Sequence, residues 1–260
     1  MNGSQKLILD LAFNAERLNN RAVGFHISRG GASIRSAEKN YLDAVHILFQ
    51  LLKIPQNVPL TENWVHNAVG GNRLTELPKR KCNPITLHLR LASNRNLSNA
   101  TLLSMVVVVL YNLGILYDQV TENTNNAKTM FMIVMELRKI TNKTGQPCLL
   151  RNCPRLSMFM CYEMGMFFAR SRVYEYALML YDEAMVCALL SNVCDIHDRQ
   201  FDTEAGFIQS AWAAAEATYL LGDMAEAAHR FDLATATLGL LIDTVSQSNC
   251  CKTAFRFEVS

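Results

Sequence analysis

The sequence predicts an all-α protein. Three observations carry this reading. Eight stretches place apolar residues at three- and four-residue steps. The breaks between most of them hold turn or capping residues. A hairpin-sized pattern of small and aromatic residues then recurs along the chain.

Leu7 to Ser28 is the first periodic stretch, and Gly30-Gly31 ends it. Its apolar start, Leu7 to Leu9, is too short for a signal peptide and is closed by Asp10. Ala37 to Leu52 is the second stretch. Next comes an irregular insert, 54–99, with four prolines and poor helical periodicity. Inside it "ITLHLRL" alternates, with Ile85, Leu87, Leu89 and Leu91 on one side and Thr86, His88 and Arg90 on the other. A strand of this kind needs a partner for its backbone groups. The C-terminal "FRFEV", 255–259, repeats the alternation weakly and is one candidate to pair with it.

Thr101 to Gln119 is the most apolar stretch. Its uninterrupted part, Leu102 to Tyr117, has 16 residues and includes Ser104 and Asn112. A membrane span needs about 20 residues, so a buried helix is expected. Ala127 to Ile140, Leu156 to Arg170, Val173 to Ser191, Glu204 to Leu221 and Met224 to Val245 complete the helices.

The recurring pattern is anchored on glycines inside helices, where glycine costs about 1 kcal/mol relative to alanine. From Gly114 the series continues with Tyr117, Ala127, Phe131 and Val134. From Gly165 it runs Phe168, Ala177, Tyr181 and Ala184, and from Gly24 it runs Ile27, Ala37, Tyr41 and Ala44. A fourth copy has Ala215 in place of the glycine, followed by Gly222, Ala227, Phe231 and Ala234. The glycine reads as a packing notch between two closely approaching helices. The units span about 17–51, 107–141, 158–191 and 208–241.

This series resembles the tetratricopeptide repeat, with its apolar-x2-L-G-x2-Y, A-x3-F and small-residue positions. "CYEMGMFFARSRVYEYALMLYDEA" matches closely, whereas no unit carries the closing proline. The resemblance implies one domain over 1–260, a TPR-like α-solenoid of about four hairpins with long inter-repeat loops and one or two short strands. It also implies a concave groove lined by first helices. By repeat register that groove takes Arg21, Phe25 and Arg29; Tyr111, Ile115 and Gln119; Tyr162, Met166 and Arg170; Trp212, Glu216 and Tyr219. Tyr, Trp and Arg dominate that set, and these types anchor protein interfaces. The family's chaperone-binding Lys/Asn/Arg clamp does not recur position by position.

A net charge of +2 gives no general pull toward nucleic acid or anionic membrane. Eight cysteines without a secretory segment point to reduced thiols in a cytoplasmic or nuclear protein. Cys187, Cys194 and His197 lack zinc-ligand spacing, and Met158, Met160, Met164 and Met166 read as core filling, with an adaptable binding groove as the alternative. The expected function is a non-catalytic scaffold that binds a peptide or helix of another protein, without metal or cofactor. The alternative is an enzymatic or metal site built from the 54–99 insert and the loop around Asp195 to His197.

Overall fold

The computed structural model describes residues 3–28, 30–53, 87, 89, 91, 97, 99–143, 154–194 and 200–247. Among the described residues there are eight α-helices and no strand. They are α1 Gly3–Ser28, α2 Gly31–Leu51, α3 Asn99–Gln119, α4 Thr124–Lys143, α5 Pro154–Arg170, α6 Tyr174–Cys194, α7 Gln200–Leu220 and α8 Met224–Gln247. The chain divides into two compact units, Met1–Asn152 and Cys153–Ser260.

Every helix expected from periodicity is present. The largest boundary difference is at α2, which starts six residues before Ala37. Only Gly30 of the Gly-Gly pair is extended, at φ −75° and ψ 145°, while Gly31 already belongs to the helix.

In the first unit α1 packs on α2, α3 on α4, and α3 also lies against α2 and α1. Helix α3 is therefore covered on several sides, and every residue from Ser104 to Tyr117 is buried. A helix that is apolar all round belongs in such a place. It is long and apolar enough to cross a membrane, yet 83% of that window is buried by the protein itself. Tyr117 donates a 2.7 Å hydrogen bond to Glu38 of α2. Burial and that carboxylate together push the phenol well above its usual range.

In the second unit α6 packs on both α5 and α7, α8 packs on α7, and α5 touches α7 lightly. Arg230 of α8 reaches Asp182 of α6 and also donates to Glu226 at 2.8 Å. Met158, Met160 and Met164 are core residues, and Cys161 and Cys187 are buried thiols packed as small hydrophobes.

The notch is visible at two glycines. A Cβ on Gly114 would lie 2.5 Å from Cε1 of Phe131, and one on Gly165 would lie 2.6 Å from Cε1 of Tyr181. The ring on the second helix thus lies directly over the missing side chain, not beyond it. Gly24 behaves otherwise. It is exposed and faces open space, and Ile27 is 63% exposed. The buried positions of α1 are Ala12, Ala15, Asn19, Ala22, Val23 and His26, so the repeat register fails on this helix while Ala37, Tyr41 and Ala44 keep it on α2. A further notch escaped the sequence reading: Gly206 of α7 receives the Met158 thioether of α5.

The hairpin turns follow one plan. Glu122, Arg172 and Gly222 adopt positive φ, at 54°, 59° and 93°. After α5 and α7 the closing amides reach back in a Schellman arrangement, Val173 to Phe168 at 2.9 Å and Asp223 to Thr218 at 3.2 Å. Asn123 and Asp223 then accept from the amides of Asn126 and Glu226, capping α4 and α8. In each of these three hairpins the repeat alanine, Ala127, Ala177 or Ala227, donates to the capping residue's carbonyl four positions back. Gly222→Ala should cost about 1–2 kcal/mol, because an L side chain strains the left-handed conformation. Thermal unfolding checks this, and an unchanged midpoint would remove that account of the turn.

Candidate functional site

Two surfaces emerge, one in each unit. In the second unit Trp212, Glu216 and Tyr219 lie on one face of α7, at spacings of four and three residues. Trp212 is 47% exposed and Tyr219 52% exposed. The Trp212 indole donates to Glu216 at 3.2 Å, and its ring stands edge-on to Phe231 at 4.9 Å between centroids. Trp212 is thereby oriented by two neighbours while half its surface remains open. On α5, Tyr162, Met166 and Arg170 are half-buried, and the Tyr162 ring lies 5.9 Å from that of Tyr181.

The first unit corrects the register reading. Tyr111 and Ile115 were expected on an open groove, and both are core residues, at 0% and 1% exposure. The reason is the central position of α3, whose Tyr111 packs 6.3 Å from Phe131. Gln119 is half-buried at the end of α3. Arg21 is exposed on α1 and places its guanidinium 5.5 Å over the half-buried Phe25 ring. Arg29 lies outside the described residues, as do Asp195 to His197, 255–259 and most of the 54–99 insert.

Of the insert's four described leucines, Leu87, Leu89, Leu91 and Leu97, the first three define the second surface. Leu87 donates its amide to Asn112 Oδ1 at 2.8 Å. Its carbonyl accepts from Asn112 Nδ2 at 2.8 Å and Asn19 Nδ2 at 3.1 Å. Leu89 makes the same two-way contact with Asn20, amide to Oδ1 and carbonyl from Nδ2, both at 2.8 Å. The amide of Leu91 donates to Glu16 Oε2 at 2.9 Å. The asparagines are joined in turn, Asn112 donating to Asn19 at 3.0 Å and Asn19 to Asn20 at 3.1 Å.

The geometry follows from two repeats. Alternate residues of an extended chain present their amides to the same side and recur every ~6.6–6.8 Å. Four residues of helix rise ~6 Å, so Glu16 and Asn20 on one turn of α1 match consecutive steps of the segment. Each carboxamide carries one donor group and one acceptor, as a peptide unit of a neighbouring strand does. At Leu87, Leu89 and Leu91 the backbone groups are thus met by helix side chains, while the 255–259 stretch that could pair with this segment lies outside the described residues. Asn19 and Asn112 are fully buried, and buried amides must be paired. The sequence shows Asn112 as a polar residue within "VVVVLYNLGILY" but gives it no role, and nothing in the sequence singles out Asn19. The clasp residues Asn20 and Asn112 each lie one position away from the expected groove residues Arg21 and Tyr111.

No known family model, curated protein or solved structure matches this chain. The site's own geometry therefore carries the functional argument. Among the described residues no group of three His, Cys, Asp or Glu side chains could hold a metal ion.

Proposed function

We propose that this protein is a non-catalytic interaction scaffold, a TPR-like array of helical hairpins that takes a peptide or helix of a partner protein on its first-helix face. The observation that carries the reading is the aromatic row on α7, where Trp212 and Tyr219 stand about half exposed on either side of Glu216. Large aromatic rings held in place at a surface offer much contact area with little rotamer entropy to lose. The shared turn, cap, alanine and aromatic positions of the hairpins in both units support the repeat reading. The proposal includes a cytoplasmic or nuclear setting and no part in binding nucleic acid or membrane.

Trp212→Ala tests it. The Trp212 indole is half solvated, so the helical signal and melting midpoint should stay within a few degrees of wild type. Truncating an anchor of this kind costs about 2 kcal/mol or more of binding. Partners cross-linked to the wild-type chain in cell extract, identified by mass spectrometry and then purified, should bind the variant at least about 30-fold more weakly by titration calorimetry. Equal affinity would remove Trp212 from the interface, and a variant that unfolds would assign the residue to packing.

A further inference from the structure

The asparagine clasp of the first unit is built to recognise main chain. Its hydrogen bonds to the described residues of the segment, Leu87, Leu89 and Leu91, go to their backbone amides and carbonyls, the polar groups that a leucine has. Two carboxamides engage the segment through both donor and acceptor. A leucine side chain is well buried only at the first position, Leu87 at 8% exposure, while Leu89 and Leu91 are half-buried. A face meant only to pack leucines would serve better without polar atoms, since a buried amide network is costly unless every group is paired. Carboxamides in this arrangement engage backbone amides at alternate positions, while Leu87 adds a buried apolar side chain.

We propose that this cleft, formed by Glu16, Asn19, Asn20 and Asn112, is a receptor for an extended peptide strand of another protein, and that Leu87, Leu89 and Leu91 occupy it in cis. The ligand class follows from the contacts. It is an extended segment with an apolar residue at the first position, apolar residues two and four further on, and no proline at those three sites, because proline has no amide to donate. The occupant is tethered on both sides, to α2 and α3. Such tethering gives an effective concentration on the order of mM, so a free strand enters only when the cis segment is displaced. This site is separate from the α7 row, and its fate does not depend on Trp212.

The full-length chain carrying Leu87→Pro and Leu89→Pro removes two segment amides and leaves the helices untouched. The probe is the acetylated, amidated peptide ITLHLRL with a fluorescent label, read by polarisation. It should bind the double-proline chain at least about tenfold more tightly than wild type. The same peptide N-methylated at its two leucines equivalent to 87 and 89 should lose that binding. Asn20→Ala added to the double-proline chain should weaken it at least about fivefold. The proposal is overturned if the double-proline chain stays helical and binds no peptide. Equal binding by wild type, or by the N-methylated peptide, overturns it as well. Should the double variant lose its helical signal, Leu89→Pro alone is read in the same way. Unfolding of both variants would make the segment an indispensable part of the core and end the proposal.

Discussion

Asn112→Ala should be the most damaging single change outside an apolar contact. The substitution leaves the Leu87 amide and the Asn19 side-chain oxygen Oδ1 without the partners they have in the folded chain. Both groups sit in a buried setting, since Asn19 is fully buried and Leu87 is 8% exposed. An unsatisfied buried polar group costs about 1–3 kcal/mol, so two such groups imply about 2–6 kcal/mol. Asn20→Ala should cost less, because Asn20 is only half-buried and water can reach the groups it leaves. Urea denaturation followed by circular dichroism measures the order. If Asn112→Ala were as mild as Asn20→Ala, the clasp would not be the buried network described.

The second large effect concerns one substitution made at two places. Gly165→Leu drives a side chain into the Tyr181 ring, whose Cε1 would lie 2.6 Å from the new Cβ. Overpacking of this kind costs about 1–3 kcal/mol or more, and the melting midpoint should fall by roughly 2–12 °C for a chain of this size. Gly24→Leu should have the opposite sign. Nothing lies within 4 Å of a Cβ there, and leucine is the better helix former by nearly 1 kcal/mol. Adding Tyr181→Leu to Gly165→Leu should recover part of the loss, because the two side chains then no longer compete for the same volume. If both glycine variants shifted the midpoint equally, the notch would have no role.

These pairs show what was legible in the sequence. The helices were legible because apolar spacing is a local property, and Gly114 and Gly165 stood out because glycine is costly inside an apolar helix. Gly24 looked equivalent by offset, but offset does not determine how α1 is rotated about its axis. Tyr111 and Ile115 were assigned to an open face by register, and register cannot show that α1, α2 and α4 together enclose α3. The strand-like alternation at 85–91 was visible and so was the polar Asn112. Joining them required knowing that residues 25 apart in sequence, and others 68 to 75 apart, meet in space. Trp212 was placed on an exposed helix face by the sequence and lies on one. Its supports, Phe231 and Glu216, came from tertiary and helical neighbours.

The clasp also has a place in time. A chain emerging from the ribosome at about 5–20 residues per second completes α1 and α2 well before Asn112 is made. The contact between Asn19 and Asn112 spans 93 residues, so its loop-closure entropy is met only after the local hairpins have formed. In that interval Glu16, Asn19 and Asn20 lie on the first hairpin, and Leu87 to Leu91 are made before the second carboxamide that completes the clasp. The order of synthesis thus puts the segment in place before the buried asparagine that locks it, and Asn112 closes the network last.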